Sequence, residues 1–429
     1  MIDIKQIRDN PEKFKDACKA KGFAVDIDRL LEVYGKLLAS KTKLQQILTE
    51  KNAIGKSIPN LSGQAKQSAL SELAELKKTE AWHNEKIKQL QPEFDELMLL
   101  VPAPADDDVP IGKDETENVE IKRVGHLRQF DFEPKDHLQL GLALGIIDIE
   151  RGVKLAGARN YILKGDGALL HWAVLRFAMD FMVNKGYVPF SVPVLIKDDA
   201  MTGTGFFPGA EDQTYRMEKD QLNLAGTAEV PLTAYRMGEI LSADELPLKY
   251  VALSSCFRRE AGAAGKDTYG LYRIHQFDKV EQVVICENSV QQSNKFHDEI
   301  LANSEAVMQQ LELPYRVVNV CSGDLGRGQA KKYDIEAWMP SRQGYCETHS
   351  ASKFYEFQAR RLNLRYRSAC AKQAGKSKSQ IKFCHTLNNT VIASPRILIP
   401  ILELYQNADG SITIPRVLQP YMFGKTRIA

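Results

Sequence analysis

The sequence predicts an α+β protein, with a long antiparallel helical coiled-coil arm followed by a domain built on an antiparallel β-sheet flanked by helices. Three observations predict it. Two apolar stripes at heptad spacing, separated by a short turn signature, occupy the first hundred residues. A stretch rich in Pro and Asp follows them. Beyond it, β-rich segments succeed one another without a helix after each, which favours hairpin-linked strands over a Rossmann arrangement.

The first stripe runs through Ile27, Leu30, Tyr34, Leu37, Leu44, Leu48 and Ile58, with Lys41, Lys51 and Gly55 interrupting it. PNLSG (59–63) is a helix-breaking turn. The second stripe takes Leu70, Leu73, Leu76, Ile87, Leu90, Phe94, Leu97 and Val101, with Glu80 and His83 in the two seam positions between. Two such helices bury their seams most simply against each other, and each would reach roughly 45 Å. Lysines including Lys36, Lys43, Lys56, Lys66, Lys77, Lys78, Lys86 and Lys88 dress the outside, as a basic arm for nucleic acid or as a solvated coiled coil that dimerises. VPAPADDDVPIGKDETEN (101–118) is the linker, so the expected domains are 1–105 and 106–429.

In the second domain, helices are expected over 134–144, 168–185 and 292–311. Strands are expected at 187–196, 248–257, 273–286, 315–321 and 332–340. The chain of 429 residues is 44% hydrophobic, enough for a sizeable core, and its 57 basic and 55 acidic residues leave a formal charge of only +2. Any nucleic-acid contact must therefore come from a local basic face. Seven scattered cysteines with no Cys-x-x-Cys pair argue against a disulfide framework or zinc knuckle and fit a reducing cytoplasm. The start MIDIKQIRDNPEKF has neither the apolar run of a secretory signal nor the Arg-rich, acid-poor character of a transit peptide. No segment reaches the length of a membrane span. Neither a Walker loop nor a GxGxxG fingerprint occurs, so a nucleotide would have to be held another way.

Such a way is visible in FRREAGAAGKDTYGLYRIHQFD (257–278), where arginines and a glutamate flank a glycine-rich middle. If 273–281 is a strand, Arg273, His275, Phe277, Lys279 and Glu281 share one face. That mixture is costly in a core and suits a polar ligand site, with guanidinium for phosphate or carboxylate and an aromatic ring for a base.

FRREAGAAGKDTYGLYRIHQFDKVE resembles motif 2 of the seryl-tRNA synthetases of class II, and the resemblance covers essentially the whole chain. GYVPFSVPVLI resembles motif 1, with Pro193 at the expected dimer interface. LNLAGTAEVPLT (222–233) matches a serine-binding segment, and YDIEAWMP with ETHSASKFYEFQARRLNLRYR (347–367) a metal-associated one. HTLNNTVIASPRIL (385–398) stands in the place of motif 3. The resemblance implies a class II synthetase catalytic domain behind a tRNA-binding hairpin. It implies a homodimer that joins L-serine to ATP as seryl-adenylate and then charges tRNA(Ser), with tRNA(Sec) a further acceptor left open.

Carried over by position, Arg258 would bridge the α-phosphate and the serine carboxylate, Glu260 would meet the adenine end, and Arg273 the terminal phosphates. Phe277 would stack under adenine beside a backbone contact from Ile274. Arg396 would close the triphosphate, and Arg258, Arg396 and Glu260 would form the catalytic group. Arg259, Thr348 and His349 flank these residues in the same ATP-binding segments, with Arg259 the arginine expected to tolerate substitution best. Glu347 and Ser350 would hold Mg²⁺, whose preference is for hard oxygen. Cys346 and His349, three apart with no second pair, make a poor zinc signature, and His349 is expected in a loop. Thr227 and Glu229 would receive the α-ammonium group, with Ala228 between them in the serine-binding segment, and Glu281 and Thr390 the serine hydroxyl, with Asn388 beside them.

The match departs from the family at NNTVIASPR (388–396), where Asn389, Val391 and Pro395 replace glycines. Val391 is expected to add bulk near serine. Pro400, four residues into a helix starting at Arg396, would cost about 3 kcal/mol unless the helix bends. AKQAGKSKSQIK (371–382) is a basic loop, either solvated or touching the tRNA acceptor end. Two rivals share the fold: a noncatalytic tRNA- or protein-binding paralogue, which should have lost Arg258, Glu281, Glu347 or Arg396, and a carrier-protein ligase, which should lack the arm.

Overall fold

The computed structural model describes residues 1–262, 269–368 and 380–429, so most of the basic loop at 371–382 and the centre of the glycine-rich segment lie outside the described residues. The chain divides into two compact units, Ile2–Pro102 and Ala103–Ala429 with Met1.

Helices α1 (Ile27–Ser57) and α2 (Gly63–Leu100) form the hairpin of the first unit, with a turn of 3₁₀ helix over Ile58–Asn60 between them. Asp26 caps α1 by accepting a hydrogen bond from the Arg29 amide at 2.8 Å. The buried seam keeps an alternating three-and-four spacing through Leu30, Val33, Leu37, Ser40 and Ile47. Leu48 stands one step off that seam and is 36% exposed, and Leu70 likewise yields its place to buried Ala69. Two of the polar interruptions answer each other: Lys51 of α1 pairs with Glu80 of α2 across the hairpin. Tyr34 and Phe94 stack at 5.9 Å, and Arg29 and Glu93 pair at 2.7 Å.

The second unit is organised by an eight-stranded sheet. Its strands are β1 (Val119–Val124), β2 (Val188–Phe190), β3 (Leu248–Phe257), β4 (Gln276–Cys286), β5 (Tyr315–Asn319), β6 (Lys331–Met339), β7 (Gly344–Tyr355) and β8 (His385–Ser394). They lie in the order β1-β5-β6-β7-β8-β4-β3-β2, antiparallel throughout except where β2 joins the edge parallel to β3. Helices α3 (Asp166–Asn184), α4 (Val290–Gln310) and α5 (Leu398–Leu404) pack on it. Val174, Ile300 and Leu398 join Val280, Ile335 and Val391 of the strands in one apolar core.

The expected strand over 187–196 is interrupted: only Val188–Phe190 and Leu195–Ile196 are extended and paired, and Pro193, which supplies no amide to a ladder, stands in the gap between them. The helix of the motif 3 segment begins at Leu398, two residues after Arg396, so Pro400 falls in its first turn. There a missing N–H removes no helical bond, and the expected penalty does not arise.

Two ladder irregularities fix the centre of the sheet. Between β4 and β8 the register passes from Val280 opposite Ile392 to Glu281 opposite Thr390, leaving Val391 as the extra residue of a bulge. Between β6 and β7 it passes from Ile335 opposite His349 to Glu336 opposite Glu347, leaving Thr348 as the extra residue.

Candidate active site

A single cleft on the open face of the sheet is lined by Thr227, Glu229, Arg258, Glu260, Arg273, Ile274, Phe277, Glu281, Glu347, Thr348, Ser350, Asn388, Thr390 and Arg396. These residues come from five separate stretches of chain. Alternation along β4 delivers Phe277, Lys279 and Glu281. His275, expected on the same face, precedes the strand; it is half-buried, and its Nδ1 lies 2.9 Å from the Arg258 carbonyl. On β8, Thr390 and Ala393 both reach the cleft although three apart, because the bulge sends Val391 and Ile392 together into the core. Val391 is fully buried there, so the bulk expected beside serine points the other way. The Thr348 bulge does the same for Glu347 and Ser350.

Three expected residues lie outside the lining. Ala228 is buried in an apolar cluster with Leu232 and Ala252. Arg259 is exposed and donates its amide to the Gln213 carbonyl at 2.9 Å. His349 stands on strand β7 rather than in a loop, 1% exposed, with Nε2 3.0 Å from the Val391 carbonyl and Nδ1 2.8 Å from Thr348 Oγ1. Burial pushes its pKa down to about 4, so the ring is neutral and ties β7 to β8.

One end of the cleft is cationic. The Arg258 guanidinium lies 5.2 Å from the centre of the Phe277 ring, and Arg273 Nη1 is 3.2 Å from Glu260 Oε2. Glu260 holds a left-handed backbone, with φ of 51°, a conformation that a non-glycine residue adopts at some cost. Arg396 is clamped: Nε donates to the Tyr272 carbonyl at 3.2 Å, Nη1 to the Glu347 carbonyl at 3.1 Å, and its guanidinium stands 4.3 Å over the Tyr272 ring. Withdrawal from bulk water raises the Glu347 pKa, but Arg396, Lys332, Arg258 and Lys279 together outweigh it and hold the carboxylate below its ordinary range.

The other end is acidic and deep. Glu229 accepts from Gln358 Nε2 at 2.8 Å, and Thr386 Oγ1 holds that amide from behind at 2.6 Å. The Glu229 amide donates to Thr227 Oγ1 at 3.1 Å. Burial, then the neighbouring Glu281 charge, push Glu229 up to about 7. Glu281 is also raised by burial, against the pull of Lys279, whose Nζ lies 2.5 Å from Glu281 Oε2. Thr390 Oγ1 approaches the same oxygen at 3.5 Å.

Sequence reasoning left Lys279, Tyr272, Gln329 and Phe206 without roles, although all line the cleft. Lys279 was legible from the period of two, as the one cation between Phe277 and Glu281. Phe206 and Gln329 come from loops, where no period operates.

Among the described residues, no group of three or more His, Cys, Asp or Glu is placed to hold a metal ion unaided. Glu347 and Ser350 nevertheless offer oxygen to the cleft. Asp334, opposite Ser350 on β6, has a buried Oδ1 without a hydrogen-bond partner. Burial pushes Asp334 up to about 7 against the opposing pull of Lys332, and the Glu347 charge adds to the rise. This all-oxygen set fits a magnesium ion that takes its remaining ligands from water and phosphate.

Comparison with known proteins gives one answer along the whole chain. The model of the seryl-tRNA synthetase N-terminal domain matches residues 1–104, and that of the tRNA synthetase class II core domain (G, H, P, S and T) matches 213–405. The chain is 44% identical to the serine–tRNA ligase of Deinococcus radiodurans over 99% of its own length and 98% of that protein's. Its structure matches seryl-tRNA synthetase from Pyrococcus horikoshii complexed with ATP, with a TM-score of 0.91, 36% identity, and coverage of 100% of this chain and 99% of that one. The cytoplasmic serine–tRNA ligase of Naegleria fowleri in complex with AMP matches with a TM-score of 0.85 at 32% identity, covering 98% of this chain and 95% of that one. The chain belongs to the seryl-tRNA synthetase family of class II aminoacyl-tRNA synthetases.

Proposed function

We propose that the chain is an ATP-dependent serine–tRNA ligase, which activates L-serine as seryl-adenylate and transfers the seryl group to the 3′ end of tRNA(Ser). The observation that carries this reading is the polarity of the cleft. Arg258, Arg273 and Arg396 gather with Phe277 at one end, while Glu229, Glu281 and Thr390 gather at the other.

In the first step a serine carboxylate oxygen attacks the α-phosphorus and the bond to the pyrophosphate leaving group breaks. Negative charge shifts onto the α-phosphoryl oxygens and the departing pyrophosphate, where fixed guanidinium groups stabilise it without reorganising. Arg258 serves the α-phosphoryl and carboxylate oxygens, and Arg273 and Arg396 the leaving phosphates. Phe277 stacks on adenine, with Glu260 and the Ile274 backbone at its edge. Glu347 and Ser350 hold magnesium, which when bound supplies positive charge to the phosphates. Glu229 and Thr227 receive the α-ammonium group. Glu281 and Thr390 accept and donate at the serine hydroxyl, so alanine would leave buried polar groups unpaired, a difference binding sites exploit strongly. In the second step a ribose hydroxyl of the tRNA terminus attacks the seryl carbonyl and AMP departs.

The wider assignments belong to the same reading. Residues 1–105 grip tRNA, and 106–429 carry the chemistry. The enzyme is a homodimer, supported by the sheet edge at β2 with Val188 uncovered and by Pro193 and Leu195 exposed just after it. A cytoplasmic location belongs to the same reading, and the described cysteines, all free, accord with a reducing compartment.

Serine-dependent ATP–pyrophosphate exchange, run against threonine, alanine and glycine, tests the core claim. Exchange with serine alone is expected, and no exchange with serine would refute it. Deleting residues 28–100 should spare exchange and abolish aminoacylation of tRNA(Ser); loss of both in a folded protein would refute the division of labour.

A further inference from the structure

The arm holds a feature that its hairpin does not use. Trp82, near the middle of α2, is 57% exposed, while the seam residues around it turn inward. Its ring is positioned by its own helix: Lys86 Nζ stands 4.7 Å from the ring centre, and the His83 ring meets it edge-on at 4.6 Å. An indole so held loses little freedom when something stacks on it. The neighbouring surface is basic. Residues 33–90 contain ten lysines and five glutamates, a local charge of +5 in a chain whose total is +2, whereas Asp28, Glu32, Glu93, Asp95 and Glu96 cluster at the hairpin's root. A flat aromatic flanked by lysines and surrounded by excess positive charge matches an unpaired nucleic-acid base with its phosphates. It does not suit an apolar helix, which would leave the lysine charge unanswered, and an acidic protein surface would offer the flat ring no base to stack on.

We propose that Trp82 is a stacking platform for an exposed base of the bound tRNA, with Lys86 held beside the ring to meet the adjoining phosphate. This rests on the synthetase reading and adds to it a specific contact at which the arm touches a base and not only backbone. Base–aromatic stacking of this kind changes affinity by roughly five- to 150-fold on removal of the ring.

The test uses the full-length protein and tRNA(Ser). Trp82→Ala should raise the tRNA KM at least fivefold while leaving serine-dependent pyrophosphate exchange unchanged. Trp82→Phe should recover most of the loss, since it keeps an aromatic face. Lys86→Ala should lower the salt dependence of binding by about one ion. Binding of tRNA should quench tryptophan emission in the native protein, and most of that quenching should vanish in Trp82→Phe. A KM within twofold of native in Trp82→Ala, with emission unaffected by tRNA, would overturn the proposal. So would a change of oligomeric state in Trp82→Ala, which would place a protein surface on the ring. A native protein that exchanges pyrophosphate but charges no tRNA would instead refute the synthetase reading itself.

Discussion

Replacing Glu229 by Gln should make the protein more stable and inactive at once. Glu229 is buried, and its pKa is pushed to about 7 by burial and by the Glu281 charge. The folded value lies above the unfolded one, so the favourable contribution is complete below the ordinary carboxylate pKa and is lost as pH rises through about 7. From the ordinary 4.5 to about 7, linkage gives about 3 kcal/mol of lost stability at pH 8 and under about 1 kcal/mol at pH 5. Gln cannot ionise, and its side-chain carbonyl can still accept from Gln358. Urea unfolding of both proteins at the two pH values should therefore show the variant's relative stability growing by about 2 kcal/mol from pH 5 to pH 8. Serine-dependent exchange should fall by at least a hundredfold, since a neutral amide does not replace a carboxylate opposite an ammonium group. In the native enzyme the apparent kcat/KM for serine should rise with pH through about 7, the value at which Glu229 ionises. An equal stability difference at both pH values would show that Glu229 is not held uncomfortably, and the reasoning would fail.

Three other substitutions separate positioning from chemistry. Lys279→Met strands Glu281 in the deep end of the cleft; it should destabilise by about 3 kcal/mol in urea and raise the serine KM more than tenfold. His171 of α3 lies 2.8 Å from Ser394 Oγ and 3.0 Å from Asp278 Oδ2, and Ser255 donates to Asp278 at 2.6 Å, a chain across the row Ser255, Asp278 and Ser394 of three adjacent strands. His171→Ala should lower the thermal midpoint by taking the ring from Ser394 Oγ and from Asp278, which keeps Ser255, at about 1–3 kcal/mol in all, yet leave the serine KM within twofold. Pro400→Ala should change stability by less than about 1 kcal/mol, as measured by thermal unfolding; a gain near 3 kcal/mol would mean the proline sits in a helix interior after all.

What the sequence made legible was whatever obeys a period. The stripes of the hairpin read at three-and-four spacing, and the strand over 248–257 was expected with the bounds it has. Phe277, Lys279 and Glu281 could be placed on one face because β4 alternates without interruption. Two of the errors fall where a period is broken by one residue. Leu48 was preferred to Ile47 because Ser40, a polar residue on the seam, hides the step that keeps the spacing. Val391 was set beside serine because it takes the place of a motif 3 glycine next to Thr390, whereas on β8 it turns into the core, and a bulge sends Ile392 to the same side. A bulge has no signature in one strand taken alone, since it is defined by the partner it fails to pair with. Both bulges sit in the cleft, and each does the same work. One lets Thr390 and Ala393 face the cleft together, the other Glu347 and Ser350. A sheet that alternated strictly could present only every second residue of each strand. Spacings of three are thus where this cleft departs from regular structure, and they are also where residues proposed for serine and for metal stand.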